Sequence, residues 1–162
     1  MKALFFDVDG TLVDIKTHRV PESTQIALRE AQKNRNKIFI ATGRSHTILD
    51  LPGLPNDLID GYVTLNGAVC LAGGTTVRLT KIPSDAVKTL SGICIQKNYT
   101  CLFVTMDGMI VANPDEKFRT GFQEYFNLGP IPVTGFEAML HQDIYQMTVF
   151  FTEEVEKELS KI

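Results

Sequence analysis

Two carboxylates one residue apart, in Asp7-Val8-Asp9-Gly10-Thr11, are the groups in this sequence best placed to do chemistry. They close an apolar run over residues 3–8, and in an extended chain alternate side chains point the same way, so Asp7 and Asp9 share a side. Like charges held together need a proton or a cation. Mg²⁺, a hard oxygen-seeking ion, satisfies them and keeps coordination positions for water and a phosphate oxygen. Gly10 lets the backbone turn closely, and the amides at Gly10 and Thr11 can then face an anion. By average composition an Asp-x-Asp-Gly-Thr string arises by chance about once in a thousand chains of this length. A plain Asp-Gly turn with a capping aspartate leaves the strand in front and Thr11 behind unexplained. An EF-hand loop is excluded, because that motif needs Gly at its sixth position and Glu at its twelfth, where this chain has Leu12 and His18.

Holding these carboxylates in place calls for a parallel α/β framework. Residues 3–8 read as a strand buried on both faces, and Ile26, Ala27, Leu28 and Ala31 after Pro21 lie at the spacing of an amphipathic helix. Residues 37–41 form a second short strand ending in Thr42-Gly43-Arg44, and residues 45–51 a further helix stopped by Pro52. Strand, helix, strand, helix implies parallel pairing. A third strand over 58–65 ends at the turn signal Asn66-Gly67, and residues 68–71 pair with 76–79 across Gly73-Gly74. After Pro83 the pattern restarts with a helix over 84–98 and strands over 101–105 and 109–112 around Asp107-Gly108. Next come a helix over 115–126, a Gly/Pro-rich connection over 128–135, a strand over 144–151 and a last helix capped by Thr152-Glu153-Glu154. The expected division is 1–80 and 81–162.

Sixteen Lys and Arg against nineteen Asp and Glu give 162 residues a net charge of −3, without the basic footprint that a nucleic-acid backbone demands. No apolar run approaches the ~20 residues of a membrane span, and residues 1–6 are too short for a signal peptide, so a cytoplasmic location is expected, with neither nucleic acid nor membrane as partner. Cys70, Cys94 and Cys101 have neither zinc nor redox spacing and read as reduced packing residues. His18, His46 and His141 lack metal spacing and take surface or capping roles. Phe118, Phe122, Tyr125 and Phe126 lie at near-helical spacing and read as a core face.

The string Phe6-Asp7-Val8-Asp9-Gly10-Thr11-Leu12-Val13 resembles the first motif of the haloacid dehalogenase (HAD) superfamily of phosphohydrolases. Within it the chain is similar to the Cof-like sugar-phosphate phosphatases, which carry a large α/β cap of type IIB after the third core strand. The resemblance implies an α/β fold: the N-terminal part of a Rossmann-like core over 1–80 and an inserted α/β cap, itself incomplete, over 81–162. It also implies Asp7 as the nucleophile that forms an aspartyl-phosphate and Asp9 as general acid and then base. Mg²⁺ would be held by Asp7 and the Asp9 carbonyl, with Gly10 and Thr11 at the phosphate. Ile40-Ala41-Thr42-Gly43-Arg44 resembles the second motif, so that Thr42 donates to the phosphoryl group, Gly43 permits close approach and Arg44 meets the phosphate or leaving group. A helix N-cap accounts for Thr-Gly-Arg taken alone about as well. Asn66-Gly67-Ala68 resembles a segment that sets Asn66 at the active-site mouth, although a hairpin turn explains Asn-Gly equally. The Asp107-Gly108-Met109 hairpin tip is weaker: such tips line substrate pockets by analogy only.

The family's later motifs, a core Lys and an acidic segment completing the Mg²⁺ site, have no counterpart here; past the cap-like region only Lys157 and Lys161 remain. The expectation is therefore a C-terminally truncated phosphatase of small phosphorylated metabolites, impaired in chemistry and prone to self-associate through an exposed sheet edge. The alternative is a non-catalytic protein binding a phosphorylated ligand or a partner; a phosphomutase sharing Asp7 and Asp9 is a third option.

Overall fold

In the computed structural model, residues 1–124, 126 and 128–151 are described, and they fall into two compact units that divide between Thr80 and Lys81. The first unit is built on β1 (Ala3–Phe6), β2 (Lys37–Ala41), β3 (Gly61–Thr64), β4 (Val69–Ala72) and β5 (Thr75–Leu79), paired in that order. Strands β1, β2 and β3 run parallel, and β4 and β5 add on antiparallel. The crossover between β1 and β2 contains α1 (Glu22–Lys33), which starts after Pro21 with an acidic residue in its first turn and ends with Lys33 in its last, both favourable to the helix dipole. It buries Leu28 in a cluster with Val8, Leu12, Val13, Val20, Ile38, Ile40, Leu54 and Leu58. Gly73 and Gly74, at φ 56° and 77°, close the β4–β5 hairpin as the Gly-Gly pair predicts.

Three sequence expectations are corrected in this unit. Strand β1 is not buried on both faces: it lies at the edge of the sheet, and Phe5 is 58% exposed, stacked on Phe39 at 4.9 Å. The strand is apolar on both sides, but the core cluster covers only one. Residues 45–51 form no full helix, only a 3₁₀ turn at His46–Ile48, which Ser45 caps by accepting the Thr47 amide and beyond which Pro52 closes the segment. The third strand is also shorter than expected, its start taken by a 3₁₀ turn at Asn56–Leu58.

Asp60 leads into β3. Its carboxylate accepts from Lys37 Nζ at 2.6 Å and from the Ile38 amide at 2.9 Å, and its own amide donates to Ile38 O. Burial opposes its charge, but the Lys37 ammonium and the Ile38 amide more than offset that and hold the carboxyl below its ordinary range. Next to it, Gly61 has no room for a side chain: a Cβ there would overlap Leu71 O and lie 2.8 Å from the Phe39 ring.

The second unit is a four-stranded sheet in the order β8-β7-β6-β9, from β6 (Thr100–Val104), β7 (Met109–Ala112), β8 (Val133–Thr134) and β9 (Gln146–Phe150). All five residues of β6 are buried. On one face α2 (Ser84–Lys97) and α3 (Phe136–Met139) pack Val87, Cys94, Phe136 and Met139 against Cys101 and Phe103. Helix α2 ends at Asn98, left-handed at φ 56°, with the Tyr99 amide returning to Cys94 O. On the other face Leu102 and Val111 meet Phe118, which stacks on Phe122 and contacts Phe150 edge-on at 5.0 Å. The helix expected over 115–126 is a π-helix at Phe118–Gln123, whose entrance Asp115 caps by accepting the Phe118 amide. Phe126 is 45% exposed, with its ring tilted against Phe122 at 4.9 Å. Tyr125 and the helix expected from Thr152 lie outside the described residues. Cys94 and Cys101 are buried and free; a hydrogen bond with Cys94, together with burial, pushes the Cys101 thiol above its ordinary range. No helix among the described residues is long and apolar enough to cross a membrane.

Three outcomes are expected. Gly61→Ala destabilises the first unit by about 1–3 kcal/mol through the clash with Leu71 O. Gly92→Ala, on an open face of α2, stabilises the second by roughly 0.5–1 kcal/mol; hydrogen exchange in each unit reads both. Because the Asp60 carboxyl sits below its unfolded value, its contribution is present above the ordinary carboxylate range and lost as pH falls through it. Asp60→Asn should therefore lower stability at pH 7 by about 1 kcal/mol and remove part of the acid dependence, measured by urea unfolding across pH.

Candidate active site at the ends of the parallel strands

Parallel strands release their chain in the same direction, so the segments after β1, β2 and β3 gather at one end of the sheet. After β1 the chain stays extended through Asp7 and then turns. Val8 is fully buried in the core while Asp7 and Asp9 are exposed, as alternation requires. The turn is closed by Val8 O, which accepts from the amides of Thr11, Leu12 and Val13 at 3.3, 3.1 and 2.9 Å. Gly10, at φ 76°, donates to Val13 O at 3.2 Å. The Gly10 and Thr11 amides both take part in closing this turn. What Gly10 supplies is the positive φ.

After β2, Thr42 is buried, its amide donating to Val63 O at 2.9 Å, and its hydroxyl oxygen accepts the Arg44 amide at 3.1 Å, leaving its proton free to donate elsewhere. After β3, Leu65, Asn66 and Gly67 stand in succession at φ 51°, 54° and 91°. Such a conformation is ordinary for Gly and Asn but strained for leucine. It is held by two backbone hydrogen bonds to the neighbouring loop, Leu65 N to Arg44 O at 3.2 Å and Asn66 N to Thr42 O at 3.3 Å. The Asn66 side chain lies over Gly43, where a Cβ would come 3.2 Å from Asn66 Oδ1. Asn66-Gly67 thus lies in the turn between the antiparallel strands β3 and β4, and that turn sets Asn66 over Gly43.

Arg44 crosses to the first loop. Its Nε and Nη2 donate to the two carboxylate oxygens of Asp9, at 3.0 and 2.5 Å, a two-pronged pair whose side chains are 28% and 58% exposed. Asp7 has no hydrogen-bond or ion-pair partner among the described residues. The chemistry of this donor set suits a hard cation only in part, since the described residues bring no group of three or more His, Cys, Asp or Glu side chains together. His18 and His141 are exposed, as expected, whereas His46 Nδ1 is buried without a partner, which its sequence position did not disclose. The Asp107 tip belongs to the second unit, where Thr105 Oγ1 accepts its amide.

Residues 4–162 match the family of haloacid dehalogenase-like hydrolases. Among curated proteins, the chain is 26% identical over 164 residues to the Bacillus subtilis protein named "Putative phosphatase YkrA", covering 96% of this chain and 60% of that one. A solved structure of the HAD subclass IIB sugar phosphatase BT4131 is 40% identical, with a TM-score of 0.84, covering 99% of this chain and 63% of that chain. A chain from crystal structures that show a trigonal-bipyramidal intermediate in a phosphoryl-transfer superfamily is 42% identical, with a TM-score of 0.86, covering 98% of this chain and 62% of that one. The chain thus spans about 60% of the length of these relatives.

A double-mutant cycle with Asp9→Asn and Arg44→Gln should give a coupling of about 0.5–1 kcal/mol in urea unfolding, the range of an exposed but two-pronged pair. With the α/β sheet, the Asp7-x-Asp9 turn and the matching family model on common ground, the chain belongs to the haloacid dehalogenase-like hydrolases.

Proposed function

We propose that this chain carries the front portion of a Mg²⁺-dependent phosphatase of small phosphorylated metabolites, sugar phosphates foremost. Residues 1–80 would supply part of the catalytic core and residues 81–162 part of its cap. The observation that carries this reading is the convergence of Asp9, Thr42, Arg44 and Asn66 beside an unpaired Asp7 at the ends of parallel strands. The identity of 40% to a sugar phosphatase supports the substrate class.

In this reading an Asp7 carboxylate oxygen attacks phosphorus as the ester P–O bond breaks, and Asp9 gives its proton to the departing oxygen. Water then attacks the aspartyl-phosphate, losing a proton to Asp9, and inorganic phosphate leaves with Asp7 restored. Thr42 donates its hydroxyl to the phosphoryl oxygens. Mg²⁺, held by Asp7 and the Asp9 carbonyl, would neutralise charge between the carboxylate and the phosphate. These 162 residues offer neither the family's core lysine nor its acidic segment, so turnover by this chain should be weak. A second reading, phosphate-ligand binding without catalysis, is favoured by the engagement of both Asp9 oxygens with Arg44, which leaves neither turned to a leaving group.

Phosphate release from hexose and pentose phosphates, with and without Mg²⁺, tests the proposal. Release should require Mg²⁺ and fall at least about a hundredfold in Asp7→Asn. Release that survives this substitution would overturn the assignment of Asp7. Saturable phosphate binding without release would favour the second reading.

A further inference from the structure

The guanidinium of Arg44 stands in a site read as one for a phosphate dianion, yet its Nε–Nη2 edge is already taken, by the carboxylate of Asp9. That edge is one of those with which arginine grips phosphate, since carboxylate and phosphate oxygens fit the same two-pronged geometry. The backbone of Arg44 is fixed at both ends, its amide on Thr42 Oγ1 and its carbonyl on the Leu65 amide. Any change of partner is therefore a side-chain rotation with the loop held still. The pair is also well solvated, with the Asp9 side chain more than half exposed, and exchanging one partner of such a pair for another costs little.

We propose that Asp9 and Arg44 form a latch: without ligand Asp9 fills the guanidinium edge that a phosphate dianion takes, and arrival of the dianion releases the Asp9 carboxylate. This deepens the phosphatase reading and rests on it in placing the phosphate near Asp7. The latch couples two events that such a site needs together. Arg44 becomes a phosphate ligand at the same moment as Asp9 becomes free to face a leaving-group oxygen.

The test is binding rather than turnover, so it reads the latch in this chain whatever its activity. Inorganic phosphate is titrated by calorimetry and ³¹P line broadening, in the absence of Mg²⁺, into the parent chain, Asp9→Asn, Arg44→Gln and the double variant. Asp9→Ala serves as a second variant without any acceptor on the side chain, and circular dichroism checks the fold of each. Asp9→Asn and Asp9→Ala should bind phosphate at least about fivefold tighter than the parent, and Arg44→Gln at least about fivefold weaker. In the Arg44→Gln background, loss of the Asp9 charge should change affinity less than about twofold. Equal or weaker binding by both Asp9 variants would overturn the latch. An equal gain with and without Arg44 would do so too, because simple relief of repulsion would then explain it. Absence of saturable phosphate binding in all the variants would also overturn it. Failure of the phosphatase reading looks different: phosphate release insensitive to Asp7→Asn, with the binding pattern intact.

Discussion

Parallel pairing of β1, β2 and β3 is the constraint on which the rest of the first unit depends. With Phe6 opposite Ile40, and Ala41 opposite Val63, the strands give out at nearly the same level. Three loops far apart in sequence are thereby delivered to one end of a sheet. The loops are then locked together by main-chain hydrogen bonds, Thr42 O and Arg44 O receiving the amides of Asn66 and Leu65. Main-chain bonds of this kind do not depend on which side chains the loops carry. They hold the positions of Thr42, Arg44 and Asn66 through the backbone, without engaging the tips of those side chains.

Much of this frame is legible in the sequence because it rests on local patterns. The apolar runs around residues 3–6 and 37–41, the helix carrying Leu28 and the Gly73-Gly74 hairpin each announce themselves within a few residues. The exposure of Phe5 is not legible, since an apolar strand looks the same whether one face or two are covered. The shortness of the 3₁₀ turn at His46–Ile48 is hidden because its cap, Ser45, and the residues after it read like the start of a longer helix that only Pro52 stops. The two-residue strand β8 and the four-residue helix α3 are too short to carry any periodic signal.

At the site, the residue types point to the chemistry while the partnerships stay unseen. Asp7, Asp9, Thr42 and Arg44 are recognisable from their strings, but the separation of 35 positions between Asp9 and Arg44 conceals that the two meet. Likewise nothing in a leucine announces a left-handed backbone. Leu65 takes it because the loop must turn tightly enough to return two amides to its neighbour, and its burial at 4% exposure holds it there. The hydrogen bonds by which the amides of Gly10 and Thr11 close their turn are equally invisible in the string of residues.

Asp7, Thr42, Arg44 and Asn66 all precede residue 81, where the second compact unit begins. The ribosome therefore completes the entire set before the first residue of that unit is synthesised. Since chains fold from the N-terminus in units as they emerge, the loops that hold these groups have a head start measured in seconds over everything downstream. The order of the gene is in this respect an order of synthesis, with these four residues made before the second unit begins.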